Sequence, residues 1–323
     1  MTLQHARILK AWCVDLNEEV TITQARREYT NQTPAPPRYT FHCNDPACLS
    51  LPQKVTITGV NYTVVAEESP KYKSAHFRLK AAHHEACGWL TKNDATAEEP
   101  SNHSAYSQRA AKRKLTDLVT AFDPRSAAQK NNHNHATSGS SSQEGNDLGH
   151  ERLGVRRPRN DENNEATGET RTSDLDRLVD SYLEAKNQLT HAEFQALRLK
   201  IVGSGECRFD DYFQWIGRAD GNGVMYGGTY VKSYGYGFNL TFRDELNGKR
   251  VNIYISSDNL KNFKYRASLR KSVDDVLASD DRKYLKVYCL GVIEKSEKFD
   301  NWSIIIEDLN HLVLRVITKN ALD

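Results

Sequence analysis

The segment FHCNDPAC, residues 41–48, and the segment HHEAC, residues 83–87, decide how the first part of this chain folds. In the first segment, Cys43 and Cys48 flank the turn-forming sequence Asn-Asp-Pro, which reverses the chain so that both thiols can face one point. In the second segment, Cys87 ends a short run that begins with two histidines. Thiols and imidazoles in two short groups are typical ligands of a structural zinc ion. The two segments therefore predict one Zn²⁺ site.

The fourth ligand of this site is a histidine, and the spacing leaves its identity open. His84 has two residues between it and Cys87, which makes the second close ligand pair, so it is the first choice. His76 is the competing ligand, and His83 is the least favoured. A catalytic zinc site would need an open coordination position, and the motif H-E-x-x-H does not occur in the chain. The predicted ion is therefore structural, held by Cys43, Cys48, Cys87 and either His84 or His76.

Short alternating stretches surround these ligands. Residues 38–42, 54–58 and 62–66 alternate between apolar and polar side chains, which is the pattern of strands with one buried face. We therefore expect residues 1–91 to form a small α+β zinc-binding module.

The composition changes after this module. Residues 92–171 are rich in Asn, Ser, His, Gly and Glu, and such a segment cannot bury enough apolar surface to offset its ordering entropy. The prediction is a disordered linker. Within it, residues 112–122 could form a short amphipathic helix that docks a partner, or could be ordinary tether.

Residues 172–323 predict helices followed by an OB-like β-barrel. The sequence Ser173-Asp174-Leu175-Asp176 resembles a capping box at the start of an amphipathic helix. Strands are expected at 224–232, 236–242, 250–255, 285–294 and 303–309, with a helix at 268–277 between the third and the fourth. That order is the order of an OB-fold, although another α+β fold could produce it. The whole chain is thus predicted to be an α+β multidomain protein.

The general composition limits the class of protein. A length of 323 residues predicts about two domains, and a net charge of +2 gives no overall attraction to nucleic acid or to a membrane. The chain contains neither a run of about 20 apolar residues that could span a bilayer nor an apolar leader at its start. We therefore expect a cytoplasmic protein without a membrane partner, whose cysteines are metal ligands or core residues.

The predicted barrel is rich in tyrosine and has a modest local excess of cations. OB-folds bind single strands by stacking bases on aromatic rings and by pairing phosphates with basic side chains. The same tyrosines could instead be half-buried sheet residues beside a solvated charged face. The candidate nucleic-acid contacts are Tyr230, Lys232, Tyr234, Lys249, Arg250, Tyr254, Lys261 and Lys264.

The N-terminal residues also resemble a known family. The sequence RYTFHC at residues 38–43, then Cys48, then HFR at residues 76–78 followed by a later His and Cys, is similar to the N-terminal module of the competence protein CoiA family. The resemblance covers about the first 90 residues and implies DNA-related work in a bacterium. In that family a restriction-type nuclease domain follows the module. Here the acid-x-lysine candidate, residues 184–186, falls in a predicted helix, so nuclease activity is not carried over.

Three functions remain open at this point. The first is a nucleic-acid-binding protein for single-stranded DNA or RNA, with a structural zinc ion, that serves DNA uptake, mobile-element maintenance or phage defence. The second is an adaptor that recruits an enzymatic partner through the barrel or through residues 112–122. The third is a nuclease with an unrecognised site. The residue patterns favour a protein that is not itself an enzyme.

Overall fold

The computed structural model describes residues 8–65, 74–79, 81–90, 111, 114–115, 117–125, 163–164, 169–279, 282–296 and 299–319. Within these ranges the chain is a mixed α+β structure with three sheets and six α-helices. The same ranges contain no helix that is both long and apolar enough to cross a membrane.

The first sheet builds the N-terminal module. Its strands are β1 (Lys10–Cys13), β2 (Glu18–Thr21), β3 (Phe41–Cys43), β4 (Thr56–Val60) and β5 (His76–Leu79). They are antiparallel in the order β2-β1-β3-β4-β5. Helix α1 (Ile22–Thr30) follows β2, and the short helix α2 (Pro46–Leu49) follows β3.

An aromatic cluster forms the core of this module. Phe41 packs edge-to-face against both Tyr62 and Phe77, with ring centroids 5.3 and 5.1 Å away. Gly59 makes this packing possible, because a Cβ there would lie 2.7 Å from the Phe41 ring and 2.9 Å from the Tyr62 ring. The rings thereby hold β3 in place, and Cys43 is the last residue of this strand.

The second sheet includes residues that the composition assigns to a linker. Its strands are β6 (Ala121–Phe122), β7 (Asn163–Asn164), β8 (Glu169–Thr172), β9 (Arg198–Ile201) and β10 (Gly205–Arg208), in the order β10-β9-β6-β8-β7. Strand β6 is central and runs parallel to both β8 and β9.

The prediction of a continuous linker is therefore wrong for residues 117–125 and 169–171. Val119, Ala121 and Phe122 are buried, because two neighbouring strands supply hydrogen bonds and a packed helix covers the side chains. The amphipathic helix predicted at 112–122 is wrong for residues 115 and 117–122, which are irregular up to β6. Its apolar side chains Leu115, Leu118 and Val119 pack against other parts of this same chain. Residues 92–110 and 126–162 lie outside the described residues.

The covering helix is α3 (Leu175–Gln188), and α4 (His191–Ala196) follows it. Asp174 caps α3 by accepting a hydrogen bond from the backbone N–H of Asp176. The helix thus begins one residue later than the predicted capping box at Ser173. Nearly all sides of α3 are buried, since it packs against the second sheet, against the third sheet and against helix α1.

The third sheet contains β11 (Phe213–Trp215), β12 (Val224–Tyr234), β13 (Gly237–Phe242), β14 (Val251–Ile255), β15 (Lys283–Cys289), β16 (Val292–Lys295), β17 (Trp302–Ile305) and β18 (Leu312–Thr318). Helices α5 (Ser257–Lys261) and α6 (Arg266–Leu277) lie between β14 and β15. The predicted strands and helix are confirmed, except that the strand expected at 285–294 is broken into β15 and β16.

The strand order of this sheet is β16-β17-β14-β13-β12-β15-β18, with β11 beside β12. In a flat sheet β15 and β16 would lie five strand spacings, or about 24 Å, apart. Only Leu290 and Gly291 connect them, so the sheet must curl strongly. In the described residues it is not closed by hydrogen bonds, and the predicted barrel is therefore only an open, curled sheet.

The N-terminal module is joined to the rest of the chain by a buried ionic cluster rather than tethered loosely. Asp176 accepts hydrogen bonds from Arg26 at 3.0 Å, from Arg27 at 3.3 Å and from Arg315. Arg26 and Arg315 also pair with Asp180, at 3.0 and 2.8 Å. Because α1, α3 and β18 each contribute to this cluster, the three parts of the fold are held in one arrangement.

A second contact joins α1 to α6. Tyr265, the residue that precedes α6, makes no side-chain cap. Instead Asn31 at the end of α1 accepts hydrogen bonds through Oδ1 from the backbone N–H groups of Ala267 and Ser268, at 3.0 and 3.3 Å. A residue of the N-terminal module therefore caps the N-terminus of α6.

Candidate functional site

The candidate metal centre is built by the end of β3 and by helix α2. Cys43 is the last residue of β3, and its backbone N–H donates to Val55. Asp45 caps α2 by accepting from the N–H of Ala47, which turns the chain so that Cys48 faces back toward Cys43. Both thiols are buried, each with 1% of its surface exposed.

His83 is the imidazole that completes the group. The ligand atoms of Cys43, Cys48, His83 and Cys87 all lie within 4.8 Å of one another. Sγ of Cys43 is 3.8 Å from Sγ of Cys87, and Nδ1 of His83 is 3.5 Å from Sγ of Cys48 and 3.2 Å from Sγ of Cys87. A tetrahedron with Zn–S near 2.3 Å and Zn–N near 2.05 Å has edges of about 3.8 Å between sulfurs and about 3.6 Å between sulfur and nitrogen. The three observed distances are close to these edges, so the four residues could hold a metal ion.

The two histidines favoured by the spacing lie elsewhere. Nδ1 of His84 accepts a hydrogen bond from the backbone N–H of Ala86 at 3.1 Å, and so caps a local turn. His76 is at the start of β5, where its Nδ1 is 2.9 Å from the carbonyl oxygen of Ser74. The structure thus corrects the fourth ligand to His83, because the turn that places Cys87 brings its first histidine, not its second, toward the thiols.

A hydrogen-bonded clamp holds the two halves of the centre together. One carboxylate oxygen of Asp45 accepts from Ala47, and the other accepts from the N–H of Gly88 at 2.8 Å. Trp89 Nε1 donates to Asn44 Oδ1 at 2.8 Å. The turn after Cys43 is therefore tied to the residues after Cys87, which orients the ligands independently of any ion.

Burial shifts the pKa values of the thiols and of the imidazole in this centre toward their neutral forms. Burial raises the pKa of the Cys43 and Cys87 thiols, because each thiolate would lose its hydration. Burial lowers the pKa of the His83 imidazole, against a smaller opposing attraction from Asp45. The imidazole is therefore neutral and ready to coordinate, while a metal ion would displace the thiol protons.

The second candidate site is one face of the third sheet. Tyr230, Lys232 and Tyr234 alternate along β12, and Tyr254 lies on β14. The register places Lys232 opposite Asn239 and Asn239 opposite Tyr254, so these residues share one face. Tyr230 and Tyr254 are each 62% exposed, and Tyr234 is 48% exposed. The structure therefore brings together four of the eight predicted contacts, and the side chains of Tyr230 and Tyr254 are mostly exposed.

Three of the other four predicted contacts pair with carboxylates away from this face. Lys249 pairs with Asp300, and Lys261 pairs with Asp258 at 2.8 Å. Lys264 pairs with Glu28 of helix α1 and so belongs to the contact between the N-terminal module and the segment that precedes α6. Arg250 is exposed just before β14, where its carbonyl accepts from the N–H of Trp302.

Four residues of the face are not among the predicted contacts. Tyr226 lies on β12, Tyr284 and Lys286 join through the pairing of β12 with β15, and Arg243 joins directly after β13. Arg243 Cζ lies 4.1 Å from the ring centroid of Tyr284 and 5.0 Å from that of Tyr230. Alternation along β15 is the only sequence signal for Tyr284 and Lys286, and it does not reveal which strand is the neighbour.

No protein-family model, curated protein or solved structure matches this chain. The resemblance to the CoiA module and the OB-like strand order therefore stay predictions that rest on the residues and on the fold.

Proposed function

We propose that this protein binds single-stranded nucleic acid on the tyrosine-rich face of its third sheet, and that one structural zinc ion holds its N-terminal module. The observation that carries the proposal is the combination of exposed rings and cations on a single face. Tyr230, Tyr234 and Tyr254 present their rings to solvent, and Lys232, Arg243 and Lys286 stand among them. The face positions of β12 to β15 carry no carboxylate.

This chemistry matches what a single strand offers. Every base has a π-face that can stack on an aromatic ring, and each stacked base contributes about 1–3 kcal/mol. Phosphates between the bases are attracted by the neighbouring cations. Double-stranded nucleic acid hides its base faces, so it could use only the cations.

The strand order supports an OB-like topology. Strands β12, β13 and β14 form an antiparallel meander, β15 returns to pair with β12, and β17 pairs in parallel with β14. OB-folds bind single strands on the face of their second and third strands. In an OB-like order, β14 with Tyr254 would be the third strand and β12 with Tyr230 the neighbouring first strand.

The zinc ion has a structural role in this proposal. Three thiolates and one imidazole fill all four positions of a tetrahedral ion, so no position remains for water or substrate. Soft thiolate ligands favour zinc over calcium or magnesium. The ion would join β3, α2 and the turn at Cys87.

Binding of labelled oligonucleotides to the full chain, followed by fluorescence anisotropy across a salt series, tests the proposal. Three cations that each neutralise a phosphate predict a slope of log Kd against log salt of about 2, at about 0.7 per phosphate. Replacing Tyr230 by Ala should weaken binding about 5-fold to 150-fold. Phe299, which is 68% exposed in the connection between β16 and β17, provides the matched control, and Phe299→Ala should bind as wild type does.

Two results would contradict the proposal. One is the absence of binding to single-stranded DNA and RNA at low salt, which would redirect the search to a protein partner. The other is equal affinity for a duplex of the same length with no loss in Tyr230→Ala, because stacking would then play no part.

A further inference from the structure

Arg243 occupies an unusual position on the tyrosine-rich face. It directly follows β13, and its backbone N–H donates to the carbonyl of Gly228 at 2.9 Å. Its guanidinium lies over the ring of Tyr284 and beside the ring of Tyr230, at 4.1 and 5.0 Å from the two centroids. No carboxylate of the described residues forms an ion pair with it. Two rings, rather than an acid, therefore hold this cation in place.

Gly228 provides the space for this arrangement. The register places it on the same face as Tyr226 and Tyr230, opposite Lys286. A Cβ at this position would lie 3.2 Å from the Tyr284 ring and 3.4 Å from Cδ of Arg243. The first distance is tighter than ordinary van der Waals contact, so a side chain here would displace the Tyr284 ring by a few tenths of an ångström. Glycine at this position therefore lets the ring and the arginine side chain lie close to the sheet backbone.

The chemistry of a guanidinium held in this way is specific. A guanidinium stacks on rings through its flat faces, while its N–H groups lie in its plane and stay available to other partners. Such a fork matches two oxygens of one phosphate, and the position costs little additional side-chain entropy because the rings already fix it. A lysine at the same place would keep the charge but would lose both the stacking and the paired donors.

We propose that Arg243, held by Tyr230 and Tyr284 above Gly228, binds one phosphodiester of the single strand with two parallel hydrogen bonds and sets the register of the neighbouring bases. This inference rests on the proposed function and names the phosphate-binding centre of the same face. The outer side of the Tyr230 ring, which is largely exposed, takes the base next to that phosphate.

The test uses the full chain and a labelled oligothymidylate of about 12 nucleotides. Arg243→Lys should weaken binding about fivefold and keep the salt slope, because it retains the charge but not the fork. Arg243→Gln should weaken binding further and lower the slope by about 0.7. Arg266→Lys changes an exposed arginine at the start of α6 and should bind as wild type does.

Gly228→Ala gives a second and independent variant. It leaves every charge in place and should still weaken binding, with thermal unfolding used to confirm that the variant is folded. Inorganic phosphate and thymidine monophosphate serve as competitors and should displace the strand only at far higher concentration.

The outcomes separate this inference from the proposed function. If wild type does not bind the oligonucleotide, the proposed function fails. If Tyr230→Ala loses affinity while Arg243→Lys and Arg243→Gln bind as wild type does, the face binds single strands and the role given to Arg243 is overturned. Competition by the mononucleotide at the same concentration as the strand would also overturn it, because the site would then recognise a free nucleotide.

Discussion

Replacing Asp176 by Ala should destabilise the fold more than replacing any other carboxylate of the ion pairs described here. Its side chain is 8% exposed and stands between Arg26 and Arg315, each 3% exposed. Without it, each of these two buried guanidinium groups would lose one carboxylate partner, although both would still pair with Asp180. Removing one partner of a buried ion pair costs about 3–5 kcal/mol, because a buried charge is left uncompensated. For a protein of this size we expect the melting temperature to fall by roughly 10 °C.

The pH dependence of stability provides a second test of the role of Asp176. Burial raises the pKa of Asp176, but attraction by Arg315, Arg26 and Arg27 outweighs it and holds the pKa far below its usual range. A carboxylate with a lowered pKa in the folded state stabilises the fold above the pKa of the unfolded chain, near 3.9. The contribution should therefore be complete above about pH 5 and should be lost as the pH falls below about 4.

Thermal unfolding followed by circular dichroism, at several values between pH 7 and pH 3, measures both effects. Asp258→Ala is the matched control, because its pair with Lys261 is exposed and screened by solvent, so its loss should leave the melting temperature unchanged. A melting temperature of Asp176→Ala within 2 °C of wild type, with an unchanged pH profile, would refute the reasoning.

Three further predictions concern the N-terminal module. His83→Ala should lose the zinc ion during dialysis against a chelator, whereas His84→Ala should keep it; retention by both variants, measured as metal content, would contradict the assignment of His83. Asp45→Ala should lower zinc affinity about 10-fold to 100-fold, because the clamp to Gly88 is lost, and competition with a chromogenic chelator measures this. Asn31→Ala should destabilise the whole chain by about 1 kcal/mol in urea unfolding, because α6 loses its cap; no change would show that water replaces the side chain.

Several features of this protein were determined by the sequence itself because their causes are local. Alternation placed β12, β13 and β14 within two residues of their observed ends, since each strand buries one face. The apolar spacing after Ser173 predicted helix α3, although the cap is Asp174. Cys43, Cys48 and Cys87 were recognisable as one ligand group because short spacing and turn residues are needed to bring thiols together.

Other features depended on contacts between distant parts of the chain. Three histidines are close to the thiols in the sequence, and the turn that is held by Asp45 and Gly88 places only His83 beside them. Residues 117–125 were predicted to be part of a linker because only a short apolar run lies within a polar segment. The hydrogen-bond partners of that run are the parallel strands β8 and β9, which the segment itself does not specify.

The sequence thus determined which segments form strands, helices and thiol pairs, since a period of 2 or 3.6 and a short spacing act over a few residues. The tertiary structure decided which segments meet. Arg26 reaches Asp176 across 150 positions, and Arg243 reaches Tyr284 only because both lie beside β12. Such pairings are selected by the packing of the whole chain, because no property of either segment alone specifies its neighbour.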